Sequence, residues 1–212
     1  MGYTHYWNRD QEIPQNKYNN IVTDFKKLLP KFKEYDIILA DGFGENEPII
    51  NNKEVCFNGS MHCGHPENKA LTIPWPTKGA GGVGNSKDGI NGMWFAGAEI
   101  STRCCDGDCS YETFDFPQKI KIGEFQKPDK GTGKYFDCCK TAFRPYDVAV
   151  TAFLIIAKHY LKDTIQIESD GEEEQWFDAK LLCQMELGYG LEYNLKNLAK
   201  VKPVKIVGVN LF

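Results

Sequence analysis

Alternating and periodic apolar positions divide the first part of the chain into short, distinct elements. Residues 2–7 alternate small or polar residues with aromatic ones, which predicts a strand. Residues 19–34 carry apolar side chains at helical spacing, and Pro30 is expected to kink or end that helix. The short apolar run 37–40 then predicts a buried strand, which an Asp-Gly turn at residues 41–42 closes.

The second part of the chain repeats this order with a stronger helix. Pro145 and Asp147 are good start signals for a helix over residues 147–161, whose apolar residues occur on most sides and predict burial. A strand over 165–169 follows and ends in a second Asp-Gly turn at 170–171. A further helix over 178–187 and a last strand over 204–209 complete the prediction.

The middle of the chain is rich in glycine and proline. Strands are expected over residues 55–59, 94–102 and 111–116, with a long loop over 74–92. Residues 79–84 match Gly-x-Gly-x-x-Gly, but prolines precede them and no helix follows, so the dinucleotide-binding context is missing. The segment 79–92 is therefore interpreted as a loop. If it has a function, the loop would be a lid over a ligand.

These elements predict one α+β domain over residues 1–212. The order strand–helix–strand, repeated once, is that of a ferredoxin-like βαββαβ sandwich. A long insertion, residues 45–110, would separate the two halves, and a helix and a strand would be added at the C-terminus. In that fold the first strand would lie antiparallel to residues 111–114.

Composition and charge narrow the class of protein. With 212 residues, 42% of them hydrophobic, the chain can bury a sizeable core without disulfides or metal. The net charge is −4 and no basic run exceeds two residues, which argues against a duplex nucleic-acid binder. Neither a signal peptide nor a membrane span is recognised, so a reducing cytoplasm is expected. The 8 cysteines are then free thiols or metal ligands.

Two short segments carry soft metal ligands. Cys63 and His65 form one pair, and Cys105 and Cys109 form the other; together they would satisfy a tetrahedral zinc site. The alternative is that these are buried or loop thiols without a metal. The two Asp-Gly turns and the glutamates near them offer oxygen ligands for a harder cation, or they simply make turns.

Several motifs resemble an uncharacterised protein family of phages and bacterial genomes whose members begin Gly-Tyr-Thr-His-Tyr-Trp. The matching segments cover residues 2–7, 57–59, 94–98, 112–114, 139–147 and 169–171. The resemblance implies no established activity. The phage setting suggests, by association alone, a host-takeover or anti-defence role in the bacterial cytoplasm.

The segment before the long helix is a candidate anion pocket. Lys140, Thr141 and Arg144 precede a helix N-terminus, where free N–H groups and the helix dipole favour phosphate. The alternative is that Arg144 pairs with Asp147 or Glu112 and only fixes the loop.

The first strand supplies a second candidate. If it pairs with residues 111–114, His5 would lie near Glu112 and Thr113, and a histidine beside a carboxylate is a general acid/base pair. The alternative is a structural histidine held among aromatic residues.

Three functions follow from these candidates. The first is binding of a small anionic ligand such as a nucleotide immune signal. A homo-oligomer would be compatible with this function. The second is a hydrolase or phosphodiesterase that uses His5 and Glu112. The third is a structural or protein-interaction module without a small ligand. In the first, phosphate would contact the basic segment, Asp170 would line the edge, and a base would stack on Tyr3, Tyr6, Trp7 or Trp94.

Overall fold

A computed structural model describes residues 3–74, 101–123 and 127–195. In chain order the elements are β1 (Thr4–Arg9), α1 (Gln15–Glu34), β2 (Leu39–Ala40), β3 (Ile49–Ile50), β4 (Glu54–Gly59), β5 (Lys69–Leu71), β6 (Arg103–Cys105), β7 (Phe114–Pro117), β8 (Tyr135–Lys140), α2 (Asp147–Leu161), β9 (Ile165–Ser169) and α3 (Phe177–Leu187). Trp94, the loop 79–92, most of the expected strand 94–102 and the expected strand 204–209 lie outside the described residues.

The described strands form three antiparallel sheets. β1 lies between β8 and β9, so that His5 is opposite Cys139 on one side and Ser169 on the other. β4 pairs with β2, β3 and β7, and β5 pairs with β6 alone. The mixed α+β class is confirmed, whereas the sheet order of a ferredoxin-like sandwich is not.

The predicted pairing of the first strand with residues 111–114 is wrong. β8, which the sequence analysis did not predict, takes that edge of β1, and β7 pairs with β4 instead. The reason is that β8 lacks a clean alternation of apolar and polar residues: Tyr135 and Cys139 are buried, while the apolar Phe136 is exposed.

Helix α1 is amphipathic and α2 is buried almost all round. α1 buries Tyr18, Ile21, Val22, Phe25, Leu28 and Phe32, and it continues through Pro30, which lies on its exposed side. α2 keeps its predicted bounds and packs against α1, α3 and β9. The core between helices and sheets is aromatic, with Phe153 of α2 5.1 Å by ring centroid from both Phe25 and Phe114.

Within the described part of the chain, no helix combines the length and apolar character that crossing a membrane requires.

Candidate metal centre

Two loops that are distant in sequence meet beside the β5–β6 pair. Cys63 and His65 lie in the loop between β4 and β5, Cys105 ends β6, and Cys109 follows in the next turn. One ligand atom from each of these four residues lies within 4.8 Å of all the others. The grouping of these residues, predicted from their spacing, is therefore confirmed, and it makes a Cys3His cluster that could hold a metal ion.

Two distances within the cluster are close to those expected around a tetrahedrally coordinated zinc ion. The Sγ atoms of Cys63 and Cys105 are 3.5 Å apart, and Nδ1 of His65 is 3.2 Å from Sγ of Cys109. A tetrahedron with Zn–S bonds of about 2.3 Å has edges of about 3.8 Å. These two distances are slightly shorter than such an edge, and the other pairs of ligand atoms lie within 4.8 Å of one another.

The local backbone explains how the cysteine-rich segment reaches this position. Gly107 has φ +77°, a conformation that glycine adopts without strain, and it turns the chain between Cys105 and Cys109. The N–H of Cys109 then donates to the carbonyl of Ser60 at 3.2 Å, which holds this turn against the end of β4. Leu71 of β5 belongs to the same small buried cluster as the three cysteines.

His65 is oriented as a metal-binding histidine with an outer carboxylate. Its Nδ1 faces the cysteines, while its buried Nε2 lies 3.2 Å from Oδ2 of Asp36, an ion-pair distance without hydrogen-bond geometry. Metal-bound histidines usually donate the other ring N–H to a carboxylate or carbonyl, which fixes the ring. A small rotation of the exposed Asp36 side chain would complete that bond.

Burial acts unevenly on the three thiols. It raises the pKa of Cys105 and that of Cys109, and hydrogen bonds among the thiols add to the rise at Cys109. At Cys63, burial is outweighed by hydrogen bonds from the His65 backbone and the other two cysteines, which lower its pKa. A bound cation would favour the thiolate form of all three.

A close backbone crossing beside the cluster requires glycine. A Cβ atom added at Gly59 would overlap the backbone carbonyl of Cys109 and would lie 3.1 Å from the ring of Tyr146. Hydrogen bonds hold the backbone at Gly59 and the backbone at Cys109. Neither segment can therefore move away from the other without disturbing the turn that carries Cys109.

We expect Gly59→Ala to displace Cys109 and to lower the free energy of unfolding by about 1–3 kcal/mol, the usual cost of overpacking. Urea denaturation measures the change. Gly123→Ala is the matched control, because no described atom outside its chain neighbours lies within 4 Å of its added Cβ. Equal stability of the two variants would contradict the role assigned to the crossing.

A second buried cluster, formed by charged side chains, lies next to the metal ligands along β6. The guanidinium of Arg103 donates to Oδ2 of Asp147 from Nε at 2.9 Å and from Nη2 at 2.7 Å, and it also pairs with Asp178. All three side chains are at most 1% exposed. Burial raises the pKa of Asp178 although Arg103 opposes the rise, whereas Arg103 and His5 outweigh burial at Asp147 and lower its pKa to about 2.

His5 belongs to this charge cluster and does not contact Glu112. Its Nε2 lies 2.7 Å from Oδ1 of Asp147, and its Nδ1 lies 2.9 Å from Oγ of Ser169. The expected proximity of His5 to Glu112 failed because it depended on the wrong strand pairing. Glu112 instead accepts the backbone N–H of Lys140 at 2.7 Å. His5 is fully buried, which matches the interpretation of a structural histidine.

The residues of the candidate anion pocket face different partners. Thr141 is fully buried and donates to Oδ1 of Asp147 at 2.5 Å. Arg144 pairs with Asp106 at 3.2 Å, rather than with Asp147 or Glu112 as the alternative supposed. Lys140 places Nζ 5.3 Å from the centre of the Tyr111 ring.

Asp170 and Thr113 make local structural contacts. Asp170 accepts the backbone N–H of Thr4 at 3.1 Å and the hydroxyl of Tyr6 at 3.1 Å, so it joins the end of β9 to β1. Thr113 donates to the carbonyl of Gly42 at 2.6 Å. The carboxylate of Asp41 accepts N–H groups of its own turn, as the turn interpretation implies.

The aromatic residues proposed to stack a base lie in different environments. Trp7 is buried in the core against Phe114, with ring centroids 5.2 Å apart. Tyr3 packs edge-on against His5 and Phe143. Tyr6 is half-buried and stacks on Phe136.

Sequence reasoning missed Arg103, Asp178 and Asp36. Asp178 stands at the start of a helix, where the helix dipole by itself stabilises an acidic side chain. Its position therefore did not indicate a buried cation as partner. The one available signal was the apolar neighbourhood of Asp147 and Asp178, because a charged residue inside a buried segment needs a partner of opposite charge.

Comparisons of the chain with protein-family models, with curated proteins and with solved structures found no match.

Proposed function

We propose that this protein binds one zinc ion through Cys63, His65, Cys105 and Cys109, and that the ion is structural. The observation that carries the proposal is the convergence of their four ligand atoms within 4.8 Å of one another. Three thiolates and one imidazole are ligands that zinc prefers, and the carboxylate of Asp36 stands where an outer partner of the histidine is expected.

A structural role follows from the number and burial of the ligands. Four protein ligands fill a tetrahedral zinc site, whereas catalytic sites keep one position for water or substrate. The three cysteines are at most 9% exposed, which limits access to an ion held between them. The proposal thus favours the structural or protein-interaction module among the three functions predicted from the sequence.

Titration of the metal-free protein with Co²⁺ tests the proposal, because cobalt takes the same tetrahedral ligands and reports on them by absorption. We expect one equivalent to give intense d–d bands and a thiolate charge-transfer band, and one equivalent of Zn²⁺ to remove both. Weak octahedral bands, or no saturation near one equivalent, would refute the site.

Binding of a small anionic ligand stays a prediction. Lys140 and Arg144 are its basic residues, and Arg144 would have to release Asp106 to contact a phosphate. Calorimetric titration with cyclic and linear nucleotides addresses it separately from the metal.

A further inference from the structure

The short strand β6 carries both a metal ligand and the central residue of the charge cluster. Arg103 and Cys105 are buried, and Cys104 between them is exposed. Side chains two residues apart on a strand point to the same side, about 6–7 Å apart along it. Cys105 of the Cys3His cluster and Arg103 of the charge cluster therefore lie two residues apart on the same side of one strand.

The charge cluster in turn holds the starts of two helices. Asp147 is the first residue of α2 and Asp178 is the second residue of α3. Arg103 contacts both carboxylates and also donates to the carbonyl of Gln175, just before α3, at 3.2 Å. The position of Arg103 thus determines whether Asp178 is neutralised and whether Asp147 has an ionic partner besides His5.

Backbone pairing alone is a weak support for Arg103. Among the described residues β6 pairs with β5 only, over three residues, and an isolated two-stranded ribbon is marginally stable in water. A metal ion on Cys105 would tie the end of β6 to the loop that carries Cys63 and His65. A second tie runs from Asp106, next to Cys105, to Arg144 before α2.

We propose that metal occupancy of the Cys3His cluster controls the packing of α2 and α3 by positioning Arg103 between Asp147 and Asp178. The coupling rests on the proposed zinc site and adds a consequence to it. The large hydrophobic core keeps the metal-free protein folded, while the start of α3 loosens locally. Because coupling is reciprocal, weakening the charge cluster must also weaken metal binding.

The test compares the Co²⁺ affinity of three proteins. Asp178→Asn removes one carboxylate from Arg103 without touching a metal ligand, and we expect its affinity to fall by about 5–150-fold, the usual range of coupling between sites. Asp137→Asn is the matched control. Asp137 is a half-buried carboxylate on β8 that accepts the backbone N–H of Cys138 at 2.8 Å, a bond that involves none of α2, α3 and β6. Its affinity should stay within about twofold of wild type.

Hydrogen exchange of the wild-type protein gives a second measurement that does not depend on a variant folding. Amides of residues 177–187 should exchange faster after metal removal, and those of residues 15–34 should not. An unchanged Co²⁺ affinity of Asp178→Asn would overturn the coupling. So would equal hydrogen exchange of the α3 amides with and without metal. If wild type binds no Co²⁺ at all, the zinc site itself fails, which is a different result.

Discussion

Replacing Arg103 with leucine is expected to lower the free energy of unfolding by about 3–5 kcal/mol, the usual cost of removing one partner from a buried ion pair. The variant keeps Asp147 and Asp178, both fully buried, without the cation that neutralises them. His5 and Thr141 still contact Asp147, but Asp178 loses its described ionic partner. Urea denaturation at neutral pH measures the effect.

The deficit of Arg103→Leu should shrink as the pH falls. In the wild type the lowered pKa of Asp147, about 2, contributes stability above its unfolded value of 3.8 that is lost as the pH falls toward 2. Without Arg103, which opposes the effect of burial on both groups, the pKa of Asp178 rises further above its unfolded value, and the pKa of Asp147 rises above its wild-type value of about 2. The folded variant then takes up protons at a higher pH than the wild type does, so its deficit shrinks from neutral pH down to about pH 2.

Arg144→Leu is the control for this prediction. It removes the same charge from a pair whose acid, Asp106, is 57% exposed, and such pairs contribute about 0–1 kcal/mol. Equal losses in Arg103→Leu and Arg144→Leu, or a loss for Arg103→Leu that does not depend on pH, would mean that the buried carboxylates are not the cause.

Replacing Cys105 with serine is expected to weaken metal binding by at least about a hundredfold, the upper end of what outer-shell substitutions cost. Serine keeps the size of the side chain but removes the thiolate that zinc and cobalt prefer. At one equivalent of Co²⁺ the charge-transfer band should be weaker than in wild type, because only the thiolates of Cys63 and Cys109 are left in the cluster. Added zinc should raise the thermal midpoint of the variant less than that of wild type, since stabilisation by a ligand falls as its dissociation constant rises.

The neighbouring residue offers a matched control for Cys105→Ser. Cys104 lies on the same strand, is exposed, and stands opposite Ala70 on β5. Cys104→Ser changes the same atoms at the next position and should bind cobalt as wild type does. A parallel loss in both variants would indicate thiol chemistry without the proposed geometry.

Local signals predicted the helices and the metal ligands well. α2 and β9 have the predicted bounds, because their capping residues and apolar periods are strong and local. The grouping of Cys63, His65, Cys105 and Cys109 was predicted although they form no Cys-x-x-Cys pair, since soft ligands are rare enough for two nearby pairs to be informative.

Non-local pairing was the part that the sequence could not supply. One of the two partners of β1 is β8, more than a hundred residues further along the chain, and no local pattern marks it. The wrong strand pairing then led to a wrong partner for His5, which was predicted to lie near Glu112 and instead contacts Asp147. A buried ionic cluster is equally hard to predict from the sequence, since each acidic residue by itself looks like an ordinary acid in the first turn of a helix.

The meeting of β5 and β6 beside the metal ligands has a consequence for chain length. The pairing of Leu71 with Arg103, together with the ligands Cys63 and Cys109, closes the intervening chain at its base. The entropy lost on closing a flexible loop grows only logarithmically with its length, so doubling that length costs about 0.6 kcal/mol. A metal ion that links Cys63 to Cys109 would offset this closure entropy, so its contribution to stability grows with the number of residues between the two segments.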